Sequence, residues 1–489
     1  MNLLTGHTND HWKAVRKGVA PAFSASNMRS AFDVIVDRCD TLAAILTARA
    51  QKAGPNAAPE PVNVDNLLLR ESMDIIGRVG FEKDMGALAA FESPSDGVDS
   101  PGKNVQVMLD ATEEIVNRLE APHKQARFWS AEVKHGHALM AHWQRVVGGL
   151  LDHIKKTATS PGSFCTLLQK VRDPKTGGPL TDAQMAPEIA ALFFAGIDTT
   201  GHTGTWALYL LSQHPEVEAK IVAELDAAGL LASPARPNPR AIEYGDLAKL
   251  VYLQAFIKEA RMGEGRGEER GRARARARAE PALTHHHPPL PTPQVLRLYP
   301  PVGIGQIRVC HTQDLALAGG RLTVPRGALV WVPHLAMQTA AHNWGSDGQE
   351  FKPERWLVPG CEYADRLTMP QEWYKGWADD AAAALAPGAA KDAAADGAEG
   401  EGGAPAASAL DRPKRYLPFA DGPRNCVGQS LAMTTLPTTL AHMLSRFKFE
   451  LADSMGGADG VTAKEQYTLV VGIKDGMFMH AVPRAGVAL

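Results

Sequence analysis

The amino-acid sequence predicts a mainly α-helical domain with a minor β-sheet. Through the first half of the chain, apolar positions recur at spacings of three and four, the period of a helix with one buried face. Short runs rich in β-branched residues are confined mainly to the second half. Hydrophobic residues make up 45% of the chain, which is ample for a large core. Many helices followed by a few short strands in the second half of the chain are typical of an α+β fold dominated by helices.

The periodic stretches define the elements in chain order. Breakers such as Ser160-Pro161-Gly162 separate the helical stretches. The most apolar stretch carries Asp198, His202 and several threonines, so we expect a buried core helix rather than a membrane span. The predicted helices cover Met28–Thr47, Val105–Leu119, Ala131–Ile154 and Met185–Leu211, and the predicted strands cover Arg321–Val324, Ala328–Val332 and Tyr467–Val471.

Charge and cysteine content exclude several classes of protein. The chain has 51 basic and 54 acidic side chains, so it is neither a globally basic nucleic-acid binder nor a polyanionic tail protein. Its five cysteines are odd in number and form no C-x-x-C pair, which argues against a disulfide framework and a structural zinc site. No signal peptide opens the sequence. We therefore expect a reducing, intracellular environment.

Two segments depart from the helical pattern. Residues 261–295 hold seven Arg, almost no large apolar side chain, and His285-His286-His287. An RNA- or phosphate-binding arm and a His-cluster metal site are possible functions of this segment, but its composition favours a solvated insertion. Residues 378–411 hold 16 Ala and 7 acidic residues, which indicates a disordered surface loop. Neither composition can build a core.

A cysteine lies in a glycine-rich turn just ahead of an apolar helix. Phe419, Gly422, Arg424, Cys426 and Gly428 follow the spacing F-x-x-G-x-R-x-C-x-G. A thiolate before a helix receives backbone N–H donors and the positive end of the helix dipole, which lower its pKa. An Arg two residues earlier can bind a carboxylate of a ligand as a rigid fork. These features suit a haem iron held by a proximal thiolate.

This spacing resembles the haem-binding signature of the cytochrome P-450 family. The resemblance implies haem b (iron protoporphyrin IX), with Cys426 as the axial ligand and metal-binding residue. It also implies that Arg424 pairs with a haem propionate and that Phe419 belongs to the cofactor site. The family's α-rich fold would make residues 1–489 a single haem-thiolate domain. Family members carry considerable sequence before the helix that matches Trp12, so the domain is expected to be incomplete at its N-terminus and to lack the membrane anchor.

The central apolar helix carries a second motif, Ala195-Gly196-Ile197-Asp198-Thr199-Thr200. A hydroxyl bonded back to a carbonyl one turn earlier would explain an isolated Asp-Thr pair. The string, however, matches the family's A/G-G-x-D/E-T-T/S pattern. The resemblance implies that Thr199 supports proton delivery during oxygen activation, with Asp198 as its acidic partner. Gly196 would leave room for a flat cofactor against the helix.

Two strings resemble the halves of one family motif, E-x-x-R. Glu259 stands in the first string and Arg297 in the second, and joining residue 260 to residue 296 places them at i and i+3 on one helix face. In the family this pair meets the Arg of an F-x-P-E-R string, here Arg355, and the triad braces the cysteine loop. As the chain stands, the pair can share a helix only if residues 261–295 leave it and return. We hypothesise that this stretch is an unspliced intervening sequence.

Three further residues resemble the family's haem contacts. Trp12 and Arg16 match a W-x-x-x-R motif whose two side chains both reach a haem propionate, although a surface Trp–Arg pair would explain the same spacing. Arg308, in the strand-like string from Gln306 to Cys310, resembles an Arg that also meets a propionate.

Taken with these motifs, the resemblance implies a haem-thiolate monooxygenase. It would insert one atom of O2 into an apolar small molecule, use electrons from a separate reductase or ferredoxin-like protein, and bind no nucleic acid. The complete protein would be membrane-associated, at the endoplasmic reticulum or a plastid, although this chain has no predicted transmembrane segment. Two alternatives stay open. One is a haem-thiolate isomerase or dehydratase, which the Asp198–Thr199 pair disfavours. The other is an inert translation product unable to hold haem, which the interrupted helix favours.

Overall fold

The computed structural model describes most of the chain outside the two compositionally unusual segments. It covers residues 2–54, 58–92, 129–157, 160–237, 239–259, 296–297, 300–303, 305–311, 314–317, 322–344, 348–356, 416–467, 470–485 and 487, with isolated positions between 106 and 126. The predicted insertions at 261–295 and 378–411 lie outside the described residues, as does much of the predicted helix Val105–Leu119.

Helices dominate the described residues, as the sequence predicted. The helices are α1 (Asp10–Val19), α2 (Ala25–Ala53), α3 (Val64–Phe81), α4 (Ala89–Glu92), α5 (Ala131–Thr157), α6 (Phe164–Lys170), α7 (Asp182–Gln213), α8 (Pro215–Ala227), α9 (Val251–Glu259), α10 (His334–Thr339), α11 (Ala341–Trp344), α12 (Gln429–Leu444) and α13 (Gly457–Ala463). Short 3₁₀ turns cover Ala20–Phe23, Tyr244–Asp246, Pro353–Trp356, Gly422–Arg424 and Asp453–Met455.

The long apolar stretch forms α7, which is buried along much of its length. Its start is fixed by a reciprocal arrangement in which the Thr181 backbone N–H donates to the Gln184 side chain (2.8 Å) and the Gln184 backbone N–H donates to the Thr181 carbonyl (2.9 Å). Between Ile189 and Ala207, Asp198 and His202 are the ionisable residues of this helix, and several threonines accompany them. Among the described residues, no helix is both long and apolar enough to cross a membrane.

Glycines let α3 approach α7 closely. A Cβ atom added at Gly201 would lie 2.7 Å from a Leu69 side-chain carbon, and one added at Gly204 would lie 3.2 Å from Leu68. Such contacts would force the two helices apart, so a larger residue at either position would be resisted by tightly packed neighbours. This close contact holds the N-terminal part of α3 against the middle of α7.

The middle of α7 lies between two apolar cores. Its N-terminal half, up to Ile197, packs with α1, α3, α5 and α6. Its C-terminal half, from Trp206 onward, packs with α2, α8, α9, α12 and the strands near the C-terminus. The polar residues from Asp198 to Thr205 therefore occupy the boundary between the cores, where buried polar groups need partners.

The strands form small antiparallel sheets, as expected for a minor sheet component. They are β1 (Val62–Asn63), β2 (Gln306–Val309), β3 (Leu315–Leu317), β4 (Leu322–Val324), β5 (Leu329–Val332), β6 (Phe447–Leu451), β7 (Glu465–Tyr467), β8 (Val471–Ile473) and β9 (Phe478–Pro483). Strand β9 lies between β1 and β6, and the pairs β2–β5, β3–β4 and β7–β8 complete the described sheets.

The prediction of a single strand over Tyr467–Val471 was wrong. Tyr467 and Val471 are the end of β7 and the start of β8, and they face each other across an antiparallel pair. The sequence between them contains no Gly, Pro, Asn or Asp, so the usual signal of a turn is missing. The two earlier strands lie where they were predicted, although β4 pairs with β3 and β5 pairs with β2.

Candidate functional site

The cysteine loop is a tight turn that ends where α12 begins. Ala420 and Gly422 have positive φ angles of 59° and 73°, so the backbone reverses direction twice within a few residues. The turn is closed by a hydrogen bond from the Cys426 backbone N–H to the Phe419 carbonyl (2.8 Å). Cys426 is thus placed three residues ahead of Gln429, the first residue of α12.

The Cys426 thiol reaches solvent but is surrounded by protein atoms. Its side chain is accessible to solvent, yet burial among protein atoms raises the pKa of the thiol. Backbone N–H groups of Gly428 and Gln429, together with Arg16, act in the opposite direction and favour the thiolate. The donors at the helix start thus favour the thiolate, but burial outweighs them, so the pKa of Cys426 is raised, whereas the sequence predicted that it would be lowered. Phe419, which was predicted to contact the cofactor, is half-buried against the core.

Three arginines lie close to one another near Cys426. Burial lowers the pKa of Arg424, and the positive charges of Arg308 and Arg16 lower it further. Burial also lowers the pKa of Arg16, against the opposing effect of Cys426, and lowers that of Arg308. Like charges brought together and partly desolvated are costly unless an anion joins them.

The hydrogen-bond partners of these arginines are neutral. Arg424 donates to the Gly6 carbonyl (2.7 Å) and to the Thr8 hydroxyl (3.0 Å), and its guanidinium stacks 4.5 Å from the ring centre of Trp12. The Trp12 indole N–H donates to the Leu3 carbonyl (3.1 Å), so Trp12 supports Arg424 through its ring face. The N–H of Trp12, predicted to reach a propionate, is engaged elsewhere in this structure.

Arg16 and Arg308 likewise have neutral partners. Arg16 donates to the side-chain oxygen of Asn425, and Arg308 donates to the Ile307 carbonyl (3.1 Å) and the Gln306 side chain. Because no acidic side chain pairs with the three arginines among the described residues, their charge suits a ligand with two carboxylates. A haem, with its two propionates and an iron that takes a thiolate, fits this set of donors.

A buried histidine that the sequence did not single out adds to this fit. His334 is 3% exposed, and its Nδ1 has no hydrogen-bond partner among the described residues. Burial lowers the pKa of His334, and the charge of Arg308 lowers it further. An unpaired buried nitrogen beside an arginine is the mark of a polar group shaped for a ligand. No sequence signal marks it, since His334 follows β5 with no motif around it.

The second motif places Asp198 and Thr199 at the boundary between the two cores. Asp198 is 5% exposed, and burial raises its pKa to about 6, an increase that Asp65 reinforces and His202 opposes. The Thr199 hydroxyl donates to the Ala195 carbonyl (2.7 Å), which is the back-bonded geometry of a threonine within a helix. His202 and Asp65 were not predicted as site residues; their ring and carboxylate approach to 2.7 Å.

Gly196, predicted to leave room for a flat cofactor, lies against a neighbouring helix. A Cβ at this position would lie 3.0 Å from Cγ1 of Ile76 in α3, so the missing side chain also gives room to that helix. Close packing of α3 on α7 is thus one reason for a glycine here, and its contact with a cofactor stays a prediction.

The two halves of the interrupted motif meet in the structure. The Arg297 guanidinium donates to both carboxylate oxygens of Glu259, each at 2.7 Å, and neither side chain is exposed. The Arg297 backbone N–H donates to the Lys258 carbonyl (3.1 Å). In a chain joined from residue 260 to residue 296, Arg297 would be the fourth residue after Lys258, so this bond has the register of an uninterrupted α-helix.

The third member of the predicted triad, Arg355, has a side chain outside the described part of the structure. Two other groups complete the site of Glu259: the Lys352 backbone N–H (3.1 Å) and the Trp356 indole N–H (3.0 Å) both donate to its carboxylate. Trp356 was not predicted, although it ends the string that contains Arg355. The pair is thus fully hydrogen-bonded, as a buried ion pair requires.

Comparison with known proteins shows the family to which the chain belongs. The family model for "Cytochrome P450" matches residues 2–261, 295–364 and 404–465. The chain is similar to cytochrome P450 3A9 of Rattus norvegicus, with 22% identity over 457 residues that cover 90% of this chain and 68% of that protein. It is also similar to cytochrome P450 CYP94D108 of Paris polyphylla, with 24% identity over 475 residues that cover 96% of this chain and 74% of that protein.

A solved structure shares the fold. The crystal structure of a cytochrome P450, CYP102L1, superposes with a TM-score of 0.65 at 21% identity and covers 98% of this chain and 83% of that one. The fold expected from the sequence is therefore confirmed. Because the family model matches well over half of the chain, including the helix with Asp198 and the loop with Cys426, the chain belongs to the cytochrome P450 family of haem-thiolate monooxygenases.

Proposed function

We propose that this protein binds haem b through Cys426 and inserts one atom of O2 into an apolar organic substrate. The observation that carries the proposal is the convergence of Arg16, Arg308 and Arg424 near Cys426, with neutral hydrogen-bond partners for all three guanidinium groups. When bound, the haem would supply the redox chemistry that activates O2, with the second oxygen atom leaving as water.

Side chains and backbone groups of the chain would hold the haem at its iron and at its two propionates. The N–H donors of Gly428 and Gln429 would stabilise negative charge on the Cys426 sulfur. Arg16, Arg308 and Arg424 would fix the two propionates and so orient the ring, and the stack on Trp12 would keep Arg424 in place. Holding the ligand at three separate guanidinium groups restricts its rotation.

Asp198 and Thr199 would hold and move protons. A carboxyl with a pKa of about 6 exchanges protons readily near neutral pH, which suits a general acid. The Thr199 hydroxyl donates one hydrogen bond to its own helix and keeps its oxygen lone pairs available to accept another. We infer that electrons come from a separate reductase or ferredoxin-like donor.

A carbon-monoxide binding spectrum tests the cofactor assignment. The reduced, carbon-monoxide-treated protein is expected to show the thiolate-type Soret shift, and Cys426→Ser should abolish it while leaving far-ultraviolet circular dichroism unchanged. A haem complex without that shift would contradict the proposed ligand. Product formation from an organic peroxide without any reductant would favour an isomerase or dehydratase instead.

We also propose that residues 1–489 form one haem-thiolate domain into which residues 261–295 and 378–411 are inserted. The family match is interrupted at 262–294 and at 365–403, and the helical register of Arg297 on Lys258 supports the same view of the first segment. Sequencing the transcript tests whether residues 261–295 are translated from an unspliced intervening sequence. A mature message that retains the stretch in every isolate would reject that origin.

A further inference from the structure

We propose that His202 and Asp65 are positioning residues for proton delivery, with His202 relaying protons from the protein edge to Asp198. The inference rests on the proposed function, because it assigns partners to the acid of that site. Its starting point is a buried polar cluster at the boundary of the two cores, formed by one residue of α3 and three of α7: Asp65, Asp198, His202 and Thr205.

Geometry ties His202 to Asp65. The His202 Nδ1 lies 2.7 Å from Asp65 Oδ1, and the Thr205 hydroxyl donates to the same oxygen at 3.0 Å. Two donors on one carboxylate fix its orientation, and Asp65 in turn fixes the plane and the tautomer of the imidazole. This arrangement leaves the second ring nitrogen of His202 as the group that can exchange a proton.

The helix places His202 beside Asp198. The two residues are one turn apart in α7, at i and i+4, so their side chains lie on the same face. Among the described residues, the charges that shift the pKa of Asp198 are those of His202 and Asp65, and those that shift His202 are Asp65 and Asp198. Strand β8 covers the ring with Gly472, where a Cβ would lie 3.3 Å from Cε1, and contributes no charge.

Solvent exposure decreases from His202 to Asp198. His202 is partly exposed, whereas Asp198 is buried. A proton can therefore enter at His202 and pass to the Asp198 carboxylate, after which the ring takes another proton from solvent. Burial alone would lower the pKa of His202, but the Asp65 carboxylate raises it to about 9, so the ring is charged and able to donate at neutral pH.

The first test follows Asp198 directly in the haem-loaded resting protein. The infrared band of its protonated carboxyl is assigned by Asp198→Asn and titrated with pH. Loss of the neighbouring positive charge in His202→Asn is expected to raise the pKa of Asp198 by about 1 to 3 units. His202→Gln provides a second neutral side chain should the first variant fold poorly. His480→Asn is the matched control, because His480 Nδ1 lies 2.7 Å from the Pro59 carbonyl, distant from Asp198.

The second test measures proton delivery. With a surrogate ferredoxin and reductase, His202→Asn is expected to release severalfold more hydrogen peroxide per O2 consumed and to show a larger solvent isotope effect than wild type. An unshifted Asp198 titration in both His202 variants would overturn the proposal, and so would a shifted titration with unchanged peroxide release and isotope effect. If the protein failed to form a haem-thiolate complex, the proposed function would fail, whereas the same Asp198 titration on the haem-free protein would still report on the cluster.

Discussion

Removing residues 261–295 should stabilise the protein, because the structure already holds their flanks in the geometry of a continuous helix. The Arg297 backbone N–H donates to the Lys258 carbonyl, as residues i+4 and i would in a continuous helix. The Arg297 guanidinium donates to the Glu259 carboxylate at 2.7 Å. Joining residue 260 to residue 296 therefore breaks no contact between the described residues on either side. The deletion removes only the entropic cost of closing a 35-residue loop on folding.

The size of the effect follows from the loop length. A loop closure term that grows as 1.5 RT ln n gives about 3 kcal/mol for n near 35. The free energy of unfolding should rise by roughly this amount, measured by urea denaturation followed through tryptophan fluorescence. A stiff or partly ordered segment would give less, since part of its entropy is lost before folding.

A Gly-Ser segment of the same length is the matched control. It keeps the loop closure cost and changes only the sequence, so its free energy of unfolding should equal that of the wild-type chain. If the deletion lowers the free energy of unfolding, or if Arg297→Ala no longer destabilises the shortened chain, then α9 does not continue through Arg297 and the reasoning is refuted.

The remaining predictions concern single side chains. Glu259→Gln leaves the buried Arg297 without its anion and should cost about 3–5 kcal/mol in urea denaturation; a loss below 1 kcal/mol would contradict a buried ion pair. Arg308→Gln should weaken haem affinity tenfold or more in a haem-transfer titration while barely changing haem-free stability, because its partners are adjacent residues. His202 has its pKa raised to about 9 from an ordinary 6.5, so its contribution to stability is complete below pH 6.5 and is lost as pH rises towards 9. His202→Asn should remove that loss, at most roughly 3 kcal/mol, in denaturation curves recorded across this range.

The sequence could predict those parts of the site that lie close together along the chain. The cysteine loop and the Asp198–Thr199 pair each occupy a few consecutive residues, and local spacing is enough to reveal them. Glu259 and Arg297 are an instructive exception, since their common helix face appears only when the residues between them are ignored. The structure brings them together because a fully hydrogen-bonded ion pair strongly favours one arrangement.

Long-range neighbours explain what the sequence missed. Asp65 and His202 are 137 positions apart, and their contact depends on how closely α3 lies against α7. The same packing places Gly196 against Ile76, so this glycine serves the contact between the two helices whether or not a ligand also lies beside it. The strand predicted over Tyr467–Val471 failed for a local reason, because its turn carries no residue type that usually marks one.

Unbalanced charge separates the candidate binding groups of this protein from its structural ion pair. The Glu259–Arg297 pair is buried but balanced, and its charges satisfy each other. Arg424 and its two arginine neighbours are partly desolvated, and no acidic side chain pairs with them among the described residues. Such groups cost free energy in the haem-free chain, and a ligand with complementary charge would recover it on binding. Folding and haem binding should therefore be coupled most strongly at the arginine cluster, where the unbalanced charge is greatest.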